Sequence, residues 1–458
     1  QPKSVEDLSA VIALYRPDSM PFIPDYLRGK VDRKSIEYIH PDMEDILSKT
    51  YGALIYQEQI LEILRKFGGR SYGGADIMRK LLGKKLVELI KPEVEKLEGE
   101  IINNGYSKEI SRTICSLLVD MGNYCFNSSH SLSYSVLCLQ TAYLKAHHPL
   151  EFYKASFNTI DKSTLSRYIV DANRNGIQIV PPNINKSEIG FSIQDGKIMF
   201  GLSSIKGLGE VVAQAIIEER ATNGKFTSLD DFITRCNVSD SLLVTLTKAG
   251  ALPVKNKKEF LTRYINKQYE FKYKPVSTLP TLKKLENEWR IDLTQYKTKD
   301  ERLEIYNKKK EEVEKVKFEE KKEKGIREFI EKYMQDEDLW EFETLSTFIT
   351  NNPFEKIYKS GLVRAVEDIE EESNGVLVGV VSKIQKKKDK NKNQFAYVEM
   401  FSAYGTHELI CWAKQYKQFE PLLKKNSKLA FFYKKKDDKL ITVQIKPYEQ
   451  WEKEVALD

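Results

Sequence analysis

Two kinds of residue cluster in this chain could do chemistry, and both suit phosphate. The first is a glycine turn feeding a helix. In Ile205-Lys206-Gly207-Leu208-Gly209-Glu210 the two glycines let the backbone turn sharply and approach an anion. The run Val211 to Arg220 then has helical spacing, and a helix starting there aims its free N–H groups and positive dipole end at that anion. Lys206, Gly207 and Gly209 are the candidate DNA contacts, and contacts of this kind carry no base preference. The same residues also suit a plain glycine turn between helices. A second glycine turn, Gly73-Gly74-Ala75-Asp76, precedes Arg79-Lys80 and Lys84-Lys85. Lys80 and Lys84 fall one helical turn apart, and a turn feeding such a helix can hold a triphosphate. An ordinary solvated helix face is the alternative.

The second kind is a lysine hairpin beside aromatics. Lys383, Lys386, Lys387, Lys388, Lys390 and Lys392 fall within ten residues, followed by Phe395, Tyr397 and Tyr404. Bases stack on aromatic rings while lysines follow the backbone, so single-stranded nucleic acid is the matching ligand. The alternative is a soluble hairpin whose aromatics are interior. Asn127, Ser129 and His130 form a polar knot in an apolar segment. Adjacent helical residues do not face each other, so Ser129 and His130 make a poor nucleophile–base pair.

Two-metal phosphoryl transfer needs a rigid set of carboxylates. The one Asp-x-Asp, Asp336-Glu337-Asp338, lies in a charged stretch, as does the acidic run Glu367 to Glu372. Both read as solvated surface. Cys115, Cys125, Cys138, Cys236 and Cys411 form no CxxC, which points to reduced thiols rather than disulfides or zinc.

The 458 residues, 41% of them apolar, suit roughly three domains. No signal sequence or membrane-length apolar run is visible, so a cytoplasmic protein without a membrane partner is expected. The net charge of +6 is weak evidence about partners when 31% of residues are charged. The expected fold class is multidomain α+β. Residues 1–155 read as mostly helical and 156–255 as helices with a short strand pair around Asp195-Gly196. Residues 256–370 read as a charged helical connector without a core, because 17 of the 25 residues from Glu301 to Gly325 are charged. Residues 371–450 switch to period two: five strands, with a helix from Ala413 to Lys425 between the third and fourth, match an OB-fold barrel.

The motifs together resemble the fingers-to-OB part of the C-family replicative DNA polymerases, the alpha subunit of bacterial DNA polymerase III. Leu14-Tyr15-Arg16-Pro17, Tyr51-Gly52, Tyr56-Gln57-Glu58-Gln59, Gly73-Gly74-Ala75-Asp76, Arg79-Lys80, Phe126-Asn127 with Ser129-His130, and Thr141 to His147 follow the fingers pattern in order. Phe200-Gly201-Leu202, Gly207-Leu208-Gly209, Phe226 to Leu229 and Lys248 to Ala251 follow its tandem helix-hairpin-helix domain.

This resemblance implies that Arg79 and Lys80 reach the triphosphate of an incoming dNTP, with Asn127 and His130 lining the nucleotide or template side. Lys206, Gly207 and Gly209 would then hold primer-template DNA, and Lys386, Lys387, Lys388 and Phe395 its single strand. Lys80 stands where the family prefers arginine, and Ser128 where it has lysine. The family's palm, with its aspartates and Mg2+, lies upstream of the fingers. Neither catalytic residues nor a metal is therefore expected from this chain, and a palm-bearing segment is an expected partner. A non-enzymatic DNA-binding scaffold reusing these modules is the alternative. Cys125 stands where the family has glycine and reads either as a small-residue swap or as a relic of a split-intein junction. Gln335 to Trp340 can be read as a sliding-clamp peptide anchored by Leu339 and Trp340, or as part of an amphipathic helix.

Overall fold

The computed structural model describes residues 1–17, 19–83, 87–121, 125–161, 164–279 and 295–455. Lys84 and Lys85 lie outside them. The chain forms two compact units, one ending at His148 and the other starting at Pro149.

The first unit is helical. Ile60, Ile63, Leu64 and Phe67 repeat at the spacing of one helix face, so helix Gln57–Lys66 and the residue after it bury all four. Helices Tyr72–Gly83, Val87–Asn103 and Lys108–Met121 close over that face with Ala75, Met78, Leu82, Leu97, Ile101 and Ile114. Helix Val5–Leu14, N-capped by Ser4, lies on helix Ser128–His147, where Ser9 and Ser131 hydroxyls meet at 2.7 Å.

Asp7 sits at the foot of this pair, 4% exposed. It takes an ion pair from Lys30 at 2.6 Å and hydrogen bonds from Tyr26 and Tyr51 hydroxyls and the Lys3 amide. Burial alone would raise its pKa, but Lys30, the Lys3 amide and Tyr51 outweigh that and hold it at about 2. A carboxyl held below its unfolded value of 3.8 stabilises the fold above that pH and loses the contribution as pH falls towards 2. The stake is about 2 kcal/mol. Urea midpoints of the wild type should therefore fall between about pH 4 and pH 2, and Asp7→Asn should remove that part of the slope; an unaltered slope would show that Asp7 is not the titrating group.

The second unit begins with helices and a three-stranded sheet, β1 (Ile179–Val180), β2 (Ser192–Gln194) and β3 (Lys197–Met199), in the order β1-β3-β2. Helices Glu210–Asn223, Leu229–Cys236 and Asp240–Lys248 share its core, around Phe200, Leu202, Ile216, Phe232, Leu243 and Leu246.

The charged stretch departs in part from its expected character. Lys299–Tyr333 is one helix whose buried residues are Tyr306 and Phe329. Residues 334–369, expected as part of a coreless connector, instead supply core: Leu339, Trp340, Phe342, Leu345, Phe354 and Val363 are all 5% exposed or less. The physical reason is that buried Glu341 accepts from the Ile349 and Thr350 amides and from the Thr350 hydroxyl. That closes a loop whose apolar side chains turn inward.

The C-terminal barrel runs β4 (Asn374–Lys388), β5 (Gln394–Ser402), β6 (Gly405–Cys411), β7 (Lys428–Lys436) and β8 (Lys439–Pro447). It closes in the order β4-β5-β6-β8-β7, with β7 returning to pair β4 and β6 running parallel to β8. Helix Ala413–Phe419 separates β6 from β7. This is the OB-fold arrangement. Long β4 serves both neighbours by bending, and Gly379 permits the approach: a Cβ there would fall 2.2 Å from the Phe401 carbonyl oxygen. Among the described residues no helix is long and apolar enough to cross a membrane.

Candidate nucleotide and nucleic-acid interface

In the first unit, three elements converge. Arg79 and Lys80 stand on helix Tyr72–Gly83, Gln57 opens helix Gln57–Lys66, and Asn127 N-caps helix Ser128–His147. Gln57 joins them. Its amide N–H donates to the Phe126 carbonyl at 2.9 Å, and its side chain donates to the Cys125 carbonyl while accepting from Arg79 Nη1 at 3.0 Å. Arg79 also donates twice to Asp76 Oδ1, and Lys80 pairs with Asp76 Oδ2 at 2.7 Å. Lys80 and Arg79 hold the Asp76 carboxyl below its usual range. Two cations therefore share one carboxylate at the surface, an arrangement that a more highly charged anion can enter.

The cap side is divided. Asn127 Oδ1 accepts from the His130 amide at 2.8 Å and from the Ser129 hydroxyl, so its oxygen fixes the helix start. The exposed His130 ring lies between Phe126 at 5.6 Å and Tyr134 at 4.7 Å, and the Arg16 guanidinium covers Phe126 at 4.6 Å. Sequence reasoning singled out neither Gln57 as the bridge nor Arg16 as a second cation on this face. The Ser128 amide donates to Glu58. Cys125 is buried, donates weakly to the Leu54 carbonyl, and has its thiol pushed up to about 12 by burial, which makes it inert in the folded chain.

In the second unit the glycine turn is exposed. Gly207 has φ +86°, a region closed to most side chains, and Gly209 N-caps helix Glu210–Asn223. The Lys206 amide donates to the Thr344 carbonyl, so its ammonium rather than its N–H is left for a ligand. At the barrel, Lys387 lies opposite Phe395 and over the Tyr397 ring at 4.6 Å. Lys386 turns to Glu420 at 3.0 Å and to the Tyr416 ring, while Lys388 is exposed at the strand end.

Two expectations are corrected here. Phe395 is only 8% exposed, because Trp412 at 5.2 Å and Tyr397 at 5.6 Å cover it, so it supports the face rather than offering a platform. The open ring is Trp412, 43% exposed. Trp412 stands just past the end of β6, where it N-caps helix Ala413–Phe419. Second, the clamp-peptide anchors Leu339 and Trp340 are each 1% exposed, inside the chain's own core. Among the described residues no group of three His, Cys, Asp or Glu side chains is placed to hold a metal ion, so they do not fit the Mg2+ pair of a polymerase.

A helix face with two cations on one carboxylate, a glycine turn opening a helix, and a closed five-stranded barrel occur on one chain. Residues 1–105 match the bacterial DNA polymerase III alpha subunit finger domain, and residues 176–259 match a helix-hairpin-helix motif. The particular kinship is with DNA polymerase III subunit alpha. The Aquifex aeolicus protein is 30% identical over 441 residues, 93% of this chain and 34% of that protein. The Borreliella burgdorferi protein is 43% identical over 258 residues, 55% of this chain and 22% of the relative, and the Thermus aquaticus protein 39% over 262 residues, with the same shares. The chain is thus related to the C-family polymerase alpha subunits and resembles their fingers-to-OB-fold region. It spans about a fifth to a third of the length of these relatives.

Proposed function

We propose that this chain is the nucleotide- and DNA-positioning part of a replicative DNA polymerase alpha subunit. The observation that carries the reading is the Gln57 bridge, which sets Arg79 beside the Phe126–His130 segment. Arg79 and Lys80 take the triphosphate of the incoming dNTP from Asp76, and His130, held by Phe126 and Tyr134, borders the base or template. The hairpin turn at Gly207 and Gly209 holds primer-template duplex through its backbone. Lys386, Lys387 and Lys388 follow the single strand across the barrel, and Trp412 stacks a base. The metal-binding carboxylates come from a palm-bearing segment, where Mg2+ would assist attack and leaving-group departure.

The test is reconstitution. Supplying a palm-bearing segment should yield template-directed incorporation, and a failure of every such segment to do so would overturn the reading. For the barrel, Trp412→Ala is expected to weaken oligo-dT binding by about five- to a hundredfold, the range for one stacked base. Lys387→Gln should instead reduce the salt dependence of binding. Fluorescence anisotropy reads both, and an unchanged affinity for Trp412→Ala would remove it from the strand path.

A further inference from the structure

Helix Ser128–His147 has two unlike halves. Helix Val5–Leu14 packs on the first, where Ser131 and Ser135 are buried, the Ser9 and Ser131 hydroxyls meet, and Ser135 donates to the Ser131 carbonyl at 2.8 Å. Beyond Ser135 the cover stops, and every residue from Val136 to Leu144 is exposed. That stretch is apolar. At helical spacing Leu132, Val136, Leu139 and Tyr143 form one stripe, and Leu137 and Leu144 a second, about a third of a turn round. These six side chains are 41% to 58% exposed. From Ser128 to Leu144 the sequence has no Asp, Glu, Lys or Arg. A helix with no charged face, bare round its second half, is built to lie inside a larger body.

Building on the polymerase reading above, we propose that this half-helix is the seat of the palm-bearing segment, which closes an apolar groove over both stripes. Nucleic acid does not match, because the stretch offers no cation to a phosphate. A membrane-surface helix needs a charged face, which is missing here. A second copy of this chain docking by two-fold symmetry would lay the same helix alongside and cover one side, leaving the other stripe bare. The occupant is therefore a protein body with a concave apolar surface. In the alpha-subunit relatives the match covers 22% to 34% of the length, so there is ample further chain to supply such a body. The position also suits the chemistry. The same helix starts at the Asn127 cap and carries His130, and Leu137 stands about 10 Å along the axis from His130. A body gripping the second half fixes its metal-binding carboxylates to the element that borders the nucleotide.

The experiment uses the full chain with palm-bearing segments of the alpha-subunit relatives, and follows maleimide labelling of Cys138 by mass spectrometry. Cys138 is exposed on the bare half, and half-buried Cys236 in the second unit is the internal control. In the chain alone Cys138 should label rapidly; slow labelling would show that the helix is already covered and overturn the proposal. A segment that restores incorporation should slow Cys138 labelling severalfold and leave Cys236 unchanged. Leu139→Gln and Leu137→Gln, one from each stripe, should each weaken binding of that segment by about ten- to a hundredfold. Circular dichroism and primer-template affinity should stay as in the wild type, because both side chains are exposed. Unchanged segment affinity in either variant would overturn a groove over both stripes. Protection of Cys138 that rises with the concentration of the chain alone would assign the helix to a second copy and overturn the proposal. Incorporation with Cys138 still freely reactive would overturn the seat and leave the proposed function standing. Failure of every palm-bearing segment to restore incorporation would overturn the proposed function, and the seat with it.

Discussion

Replacing Trp340 with alanine is expected to destabilise the second unit by roughly 3–5 kcal/mol, the range for removing a large buried aromatic. The side chain is 1% exposed and packs with Val244, Leu261, Ile265, Phe329 and Met334. Those neighbours come from helices Asp240–Lys248, Lys257–Lys267 and Lys299–Tyr333 and from the residue that caps the last of these, so one cavity would loosen three elements. The indole N–H also donates to the Gln335 carbonyl at 2.8 Å, and Lys248 lies 5.4 Å over the ring. Trp340→Phe separates these contributions. It keeps most of the apolar area but loses the N–H donor, and should cost less, about 1–3 kcal/mol. Urea unfolding followed by circular dichroism measures both. Equal midpoints for wild type and Trp340→Ala would show that the 334–345 segment does not brace the unit. DNA binding should fall along with stability in the alanine variant, because this segment also holds the Lys206 amide.

That segment shows where the sequence was opaque. The barrel was legible from its runs of β-branched, aliphatic and aromatic residues: Leu377, Val381, Ala396, Val398, Leu409 and Phe431 turn inward, and many of their chain neighbours are apolar as well. Such runs, bounded by turn residues, are a strong local strand signal. In contrast, Trp340, Phe342 and Leu345 alternate with Glu341, Glu343 and Thr344 over a single short helix, and charge dominates the surroundings. Whether Glu341 is solvated or buried depends on the Ile349 and Thr350 amides that come to meet it, which no local pattern announces. The two-residue strand β1 was invisible for a related reason. It exists only because β3 pairs with it from 19 positions away. At the candidate sites the types were readable and the roles less so. Arg79 and Lys80 stood out as a cationic pair, and Gly207 as a turn residue. The bridging of Gln57 depends on a contact to Cys125 across 68 positions. Phe395 was expected as a platform from its place beside lysines, whereas its burial follows from Trp412, which the fold brings over it from just past the end of β6.

Arg79→Ala is expected to weaken dNTP binding by about ten- to a hundredfold, the loss of a charge-assisted contact worth roughly 1.5–3 kcal/mol. Lys80→Ala should cost less. Arg79 is held in place before any ligand arrives: its side chain is 21% exposed, and three hydrogen bonds, one to Gln57 and two to Asp76, set the plane of the guanidinium. Lys80 is 60% exposed and tethered by one ion pair, so it supplies charge with little direction. Arg79→Lys should recover part of the affinity through charge but not the planar, two-point grip. Gln57→Leu tests the bridge. It leaves both cations in place and removes the acceptor that orients Arg79, so dNTP affinity should drop several-fold while primer-template affinity stays unchanged. Calorimetric dNTP titration, with anisotropy of labelled primer-template as the control, distinguishes the outcomes. If Arg79→Ala and Lys80→Ala both leave dNTP affinity intact while DNA still binds, the cations on helix Tyr72–Gly83 are a solvated face. The chain would then be a DNA-binding scaffold built from polymerase modules rather than a nucleotide-positioning part of the enzyme.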